Sequence, residues 1–153
     1  MEWVIDFEAY HVGSEIFPLE ICLLNSKNSL QCFDFYIYYA RDYFNNLSTK
    51  HQFRMHGLKW DQGNTTLQAA INNICHKVRS GDVVCVKGDQ KCKFVKTWFA
   101  DEVGITVREF SNKTPNCVSL TGCRDKVCDF HKHDLSLCCA RRKAHCLASY
   151  TAL

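Results

Sequence analysis

The sequence predicts an α/β fold: a mixed five-stranded sheet flanked by helices, in a single domain over residues 1–153. Three apolar, aromatic-rich segments near the N-terminus are separated only by short turns, which favours an antiparallel meander. Apolar segments at helical and strand spacing then alternate to the end of the chain, and this alternation favours helices packed on a sheet. A hydrophobic share of 46% and a charged share of 23% are typical of a globular protein.

The element order follows from spacing and from turn residues. Strands are predicted at Trp3–Val12, Phe17–Leu24, Leu30–Tyr39, Asp82–Val86 and Ile105–Phe110. Residues 39–53 are predicted to be helical or irregular, and residues 56–63 to form a loop. Helices are predicted from an Asn64 cap to Val78, from an Asp89 cap to a stop at Gly104, and from about Leu135 to Tyr150.

The cysteine content indicates a reducing compartment. Eleven cysteines are many for 153 residues, but the number is odd and the N-terminus lacks the basic start of a secretion signal. We therefore expect reduced thiols in an intracellular protein of the cytoplasm or nucleus, a few of them metal ligands. Four cysteines inside apolar patterns are predicted to be small buried hydrophobic residues: Cys22, Cys32, Cys75 and Cys85.

The net charge of +3 permits an anionic partner without requiring one, and no segment is apolar enough to predict membrane insertion. Basic residues near two predicted helix starts are candidates for phosphate contacts: Lys87, Lys91, Lys93, Lys96, Arg141, Arg142 and Lys143. Aromatic residues that could stack on unpaired bases are Tyr36, Tyr38, Tyr39, Tyr43 and Trp60. The alternative is that the lysines form a solvated helix face and the aromatic residues belong to the core.

Asp6 and Glu8 lie two residues apart in the first strand, so both carboxylates point to one side of the sheet. Paired carboxylates of this kind hold divalent ions in two-metal nucleases. A solvated strand face is the alternative interpretation.

Near the C-terminus, Cys128, His131 and Cys139 have spacing suited to a structural zinc ion. The residues alone leave the fourth ligand open among Glu20, Cys117, Cys123, His133 and Cys138.

The element order and the Asp-x-Glu pair resemble the DEDD exonucleases, whose fold is RNase H-like. In that family a second Asp follows the fourth strand and a third lies in the last helix. The resemblance aligns Lys91 with the second Asp and Cys139 with the third. Asp89 and Asp134 are possible substitutes, although their offsets differ. A lysine at a two-metal site would repel the cations, so the resemblance implies an incomplete catalytic set.

The chain also resembles the MAEL domain of the Maelstrom proteins, a degenerate member of the same superfamily. That domain holds zinc through a Glu-Cys-His-Cys set, and its Glu follows a Pro in the second strand, as in Pro18-Leu19-Glu20 here. The resemblance implies that the ligands are Glu20, Cys128, His131 and Cys139. It further implies a role near small-RNA silencing or its counter-defence, a possible protein partner in that pathway, and a weak RNA endonuclease activity that does not use the DEDD set. Together with the basic and aromatic residues, the fold favours single-stranded RNA as the partner.

Three functions therefore remain open. The first is an RNA-binding domain on a degenerate nuclease fold with structural Zn²⁺. The second is an active Mg²⁺- or Mn²⁺-dependent nuclease that uses Asp6, Glu8 and either Asp89 or Asp134. The third is a zinc-stabilised scaffold for protein interactions, since a fold does not by itself determine a function.

Overall fold

The structure is a computed structural model, and it describes residues 1–39, 47–114 and 123–151. The strands are β1 (Glu2–Val12), β2 (Glu15–Asn25), β3 (Cys32–Tyr36), β4 (Val83–Val86) and β5 (Thr106–Glu109). The α-helices are α1 (Leu47–His56), α2 (Leu67–Lys77), α3 (Asp89–Trp98) and α4 (Ala140–Ala148). Two short 3₁₀ helices, Arg124–Lys126 and Asp129–His131, precede α4. No helix in these ranges is both long and apolar enough to cross a bilayer.

The sheet has the order β3-β2-β1-β4-β5 and is mixed. The first three strands form the predicted antiparallel meander, whereas β4 and β5 run parallel to β1. The parallel strands are joined by helices, since only a crossover connection can bring the chain back in the same direction. The predicted mixed five-stranded α/β fold is confirmed.

Alternation along the strands gives the sheet two different faces. Ile5 and Phe7 of β1 contribute to a large apolar core with Ile74 of α2 and Val95 of α3. Val4 of β1 lies on the opposite face, in a smaller core with α4. Helix α4 therefore covers one face of the sheet while α2 and α3 cover the other.

A β-bulge interrupts the pairing of β1 with β2 between Glu8 and Ala9. Glu8 is opposite Glu20, whereas Ala9 is opposite Pro18, so β2 carries one extra residue at Leu19. A bulge tolerates proline in a strand because the regular ladder is already broken there. Glu8 and Glu20, the last pair before the bulge, are cross-strand neighbours on the face that α4 covers.

Several predicted boundaries differ from the structure. Thr66 rather than Asn64 caps α2, since its hydroxyl accepts a hydrogen bond from the Ala69 amide. The last helix begins at Ala140 and not near Leu135, because residues 131–137 form turns and the Cys138 amide donates to the Met55 carbonyl. Strand β3 ends at Tyr36, and helix α3 ends well before Gly104.

Candidate nucleic-acid interface and metal centre

Side chains under α4 form a regular grid on three adjacent strands. Asp6, Cys22 and Asp34 make one row across β1, β2 and β3, because each is the register partner of the next. Glu8, Glu20 and Tyr36 make the neighbouring row. We call these two rows the polar grid. Carboxylates and a thiol thus occupy positions where a sheet packed under a helix normally carries apolar residues.

Two lysines form ion pairs with the acids of β1. Lys91 of α3 places its Nζ 2.9 Å from Asp6 Oδ1 and also donates to the Phe7 carbonyl oxygen at 2.8 Å. Lys143 of α4 places its Nζ 2.7 Å from Glu8 Oε1. Both carboxylates are buried, with Asp6 2% and Glu8 8% exposed. Each acid therefore has an ammonium group as its closest charged neighbour.

The two acids respond differently to this environment. Burial raises the pKa of Asp6 despite the nearby Lys91, and Asp6 Oδ2 has no hydrogen-bond partner among the described residues. Burial also opposes ionisation of Glu8, but Lys143 and Lys91 together outweigh it and lower the pKa of that carboxyl. The pKa of Lys143 is raised by Glu8 and Asp6, although burial acts in the opposite direction. Glu8 and Lys143 are thus a charged pair.

These residues do not fit a pair of divalent ions. A two-metal centre needs several carboxylates facing a shared space, with their charge compensated by the metals alone. Here two ammonium groups already compensate the charges of Asp6 and Glu8. A divalent ion placed between the carboxylates would be repelled by both lysines.

The other acids considered as substitutes lie elsewhere. Asp89 is 67% exposed at its side chain and pairs with Lys93, while Asp134 accepts hydrogen bonds from Ser136. Cys139, which the resemblance aligns with the third family Asp, has its sulfur beside Glu20. The residue of α4 that reaches the acids of β1 is Lys143.

A basic cleft opens next to Asp6. It has a volume of about 390 Å³ and is lined by Lys87, Lys91 and Lys143 together with Asp6, Asn112, Thr114 and Leu147. Lys87 donates to the Ser111 carbonyl oxygen and pairs with no carboxylate among the described residues. Since Lys91 and Lys143 are each paired with an acid, Lys87 supplies the excess positive charge of the cleft.

The remaining predicted basic contacts are dispersed. Lys93 is 73% exposed and pairs with Asp89. Arg141 pairs with Asp34 on the edge strand, and Arg142 donates to the Leu135 carbonyl oxygen. The structure therefore brings Lys87 and Lys91 together in the cleft but places Lys93, Arg141 and Arg142 outside its lining.

Most of the aromatic residues suggested for base stacking belong to the interior. Trp60 is 7% exposed and stacks on Tyr10 with ring centroids 4.5 Å apart. Tyr39 donates to the Pro18 carbonyl oxygen, and Tyr36 packs against Phe130. Tyr38 is exposed, while Tyr43 lies outside the described residues. The expectation of an aromatic stacking surface was wrong for Trp60, because its ring fills a core.

A second cluster lies in the next row of the grid and at the start of α4. One potential ligand atom from each of Glu20, Cys128, His131 and Cys139 lies within 4.8 Å of the other three, and all four residues are buried. His131 Nδ1 is 2.9 Å from Cys128 Sγ and 3.7 Å from Glu20 Oε2. Zinc ligands at about 2.0–2.3 Å from one ion would be separated by similar distances.

The surroundings of this cluster suit a bound cation. Glu20 Oε1 accepts a hydrogen bond from the Ala140 amide at 2.6 Å, and Glu20 Oε2 faces Cys139 Sγ. His131 Nε2 lies 2.6 Å from the His56 carbonyl oxygen, so that nitrogen carries the proton and Nδ1 is the ligand atom. Burial raises the pKa of Glu20 to about 7, and the Cys128 hydrogen bond lowers the pKa of Cys139 to about 4. The cluster could therefore hold zinc.

The other candidates for the fourth ligand are not part of this group. Cys138 is buried near Lys143 and Glu8, and Cys123 packs against the core under α4. Cys117 lies outside the described residues, and His133 does not join the four. Sequence reasoning placed Lys143 on a basic surface and missed its inward contact with Glu8. Its position between Ala140 and Leu147, on the apolar stripe of α4, could have revealed a lysine directed inward.

The fold matches solved viral exonuclease structures. The Mopeia virus exonuclease domain, solved partially complexed with manganese, has a TM-score of 0.60 and 16% identity, over 98% of this chain and 77% of that one. The same domain fully depleted of manganese has a TM-score of 0.59 and 16% identity, over 98% of this chain and 76% of that one. No protein-family model and no curated protein matches the sequence. The chain thus has the RNase H-like fold of a viral exonuclease domain.

Proposed function

We propose that this protein binds single-stranded RNA on a nuclease fold whose catalytic centre is occupied by lysines. The observation that carries the proposal is the pair of contacts Lys91–Asp6 and Lys143–Glu8. The fold supports a nucleic-acid ligand, because solved exonuclease domains share it. The ion pairs argue against metal-dependent hydrolysis, because they use the carboxylates on which that chemistry depends.

The basic cleft is the proposed site of phosphate binding. Lys87 contacts the phosphate first, since no carboxylate in the described part of the chain compensates its charge. Lys91 and Lys143, which line the cleft, supply further hydrogen-bond donors. A cleft of about 390 Å³ suits a phosphate with its sugar, as in proteins that follow one strand through a positive groove. The preference for RNA and the link to small-RNA silencing rest on the resemblance to the MAEL domain.

The test measures binding of labelled single-stranded RNA at several salt concentrations. Lys87→Ala should weaken binding about tenfold, the effect of losing one charged hydrogen bond. It should also reduce the salt slope by about 0.7, the value for one phosphate on a single strand. Lys93→Ala is the matched control: it removes a lysine of the same region that is paired with Asp89 and lies outside the cleft.

The outcomes separate the three functions. RNA binding that depends on Lys87 and persists without added Mg²⁺ or Mn²⁺ supports the proposal. Cleavage that needs Mg²⁺ or Mn²⁺ and disappears in Asp6→Ala would instead establish a working nuclease. The absence of both RNA binding and cleavage would favour the scaffold function. Equal losses of RNA affinity in Lys87→Ala and Lys93→Ala would reject the cleft as the binding site.

A further inference from the structure

A second group of potential metal ligands lies at the sheet edge, beyond the Glu20 cluster. One ligand atom from each of Cys22, Cys32 and Asp34 lies within 4.8 Å of the other two. Cys22 is on β2, and the other two residues are on the edge strand β3. The sequence pattern predicted both cysteines as small buried hydrophobic residues. Cys22 does belong to the core under α4 and Cys32 packs against it, but the carboxylate of Asp34 also lies beside both sulfurs.

The spacing of the sulfurs favours a shared ion over a disulfide. Cys22 Sγ and Cys32 Sγ are 3.6 Å apart, and two sulfurs bound to one zinc ion lie about 3.8 Å apart. Cys22 is opposite Asp34 and Cys32 is opposite Leu24, so the cysteines are diagonal neighbours across the two strands. Diagonal residues are about 7–8 Å apart, beyond the usual Cα separation of a disulfide.

Two buried polar atoms on the residues around this group have no hydrogen-bond partner of suitable distance and angle among the described residues: Asp34 Oδ1 and His145 Nε2. Arg141 occupies the other carboxylate oxygen, with Nη1 at 3.2 Å from Asp34 Oδ2. His145 follows Arg141 by one turn of α4, and its ring lies beside the Cys32 thiol. Burying a polar atom without a hydrogen-bond partner costs free energy, and binding a metal ion to these atoms would remove that cost.

We propose that Cys22, Cys32 and Asp34 bind a second zinc ion, with His145 as the fourth ligand. Two thiolates, a carboxylate and an imidazole form a donor set that zinc accepts. Two thiolates and one carboxylate carry three negative charges, which the ion and the guanidinium of Arg141 neutralise together. The ion ties the edge strand β3 to α4, which the ion pair between Arg141 and Asp34 already joins.

The experiment is a zinc count on the intact protein after loading and desalting, with folding checked by near-UV circular dichroism. The wild type should hold two zinc ions per chain. Cys32→Ser and Asp34→Asn should each hold one, because each removes a ligand of the edge site only. Cys75→Ser is the matched control, since Cys75 is a half-buried cysteine of α2 outside both clusters, and it should keep two.

Cobalt gives a second readout of the same site. Cys32→Ser should lose about half of the thiolate-to-cobalt absorption, since two of the four proposed thiolate ligands lie at the edge site. Equal zinc content in the wild type and in Cys32→Ser would overturn the proposal. In denaturant, the wild type should show eleven free thiols and Cys32→Ser should show ten. A count of nine in the wild type, with ten in Cys32→Ser, would reveal a Cys22–Cys32 disulfide and would also overturn the proposal.

Discussion

Lys143 Nζ lies 2.7 Å from Glu8 Oε1, so the last helix places a cation beside a buried acid of the first strand. Both side chains are largely buried, at 18% and 10% exposure. The ammonium group of Lys143 therefore compensates the charge of Glu8. This pairing has consequences for stability, for pH dependence and for metal binding.

Lys143→Met should destabilise the fold by about 3 kcal/mol, because it leaves Glu8 buried without its partner. Chemical denaturation measures the loss. The double variant Glu8→Gln/Lys143→Met should lose less than the two single variants added together, since no charge is then left unpaired. Lys93→Met removes a lysine from an exposed pair and should change the free energy of unfolding by less than about 1 kcal/mol. Additive losses in the double variant would contradict a buried charge pair.

The Glu8 pair should also contribute to acid sensitivity. The folded pKa of Glu8 is lower than the ordinary value of 4.5, so the unfolded chain takes up the proton first as the pH falls. The stability contributed by Glu8 is fully present above pH 4.5 and is lost as the pH falls through the folded pKa. The difference in unfolding free energy between wild type and Glu8→Gln should therefore shrink from pH 6 to pH 3. A constant difference over this range would contradict the assignment.

Removal of one proposed zinc ligand near α4 should lower both metal content and stability. Cys128→Ser should lose one zinc ion per chain and about 3 kcal/mol, because binding energy at a structural site is folding energy. For a domain of this size that loss lowers Tm by about 10 °C. Cys75→Ser should leave zinc content and Tm close to the wild-type values. Unchanged zinc and Tm in Cys128→Ser would reject the Glu20 cluster as a metal site.

Replacing both lysines by acids should create affinity for divalent ions. Lys91→Asp/Lys143→Asp places up to four carboxylates in one space, where they repel one another in the absence of metal. We expect the double variant to be less stable than the wild type and to be stabilised by Mn²⁺ in a thermal shift assay. The wild type should show no such stabilisation. Equal Mn²⁺ responses in the two proteins would indicate that the lysines do not exclude the ion.

Local patterns determined most of the architecture. Alternation and turn residues predicted five strands in the right order, and the meander followed because short turns can join only antiparallel neighbours. Spacing also singled out Asp6, Glu8 and the Cys128–His131 pair as chemically distinctive. The start of α4 was predicted about five residues too early, because the Cys138 amide, just before the helix, donates to the carbonyl of the distant Met55.

Pairings between distant residues were decided only by the tertiary structure. Lys91 is 85 positions from Asp6, and Glu20 is about 120 from Ala140, so no local pattern relates them. Lys143 was read as part of a basic surface run, although the packing of α4 directs it inward to Glu8. Cys22 and Cys32 matched the pattern of apolar fillers, because a buried thiol resembles a small hydrophobic residue in sequence. Whether a buried cysteine can be a metal ligand depends on the residues opposite it in the sheet, and the strand register sets those residues.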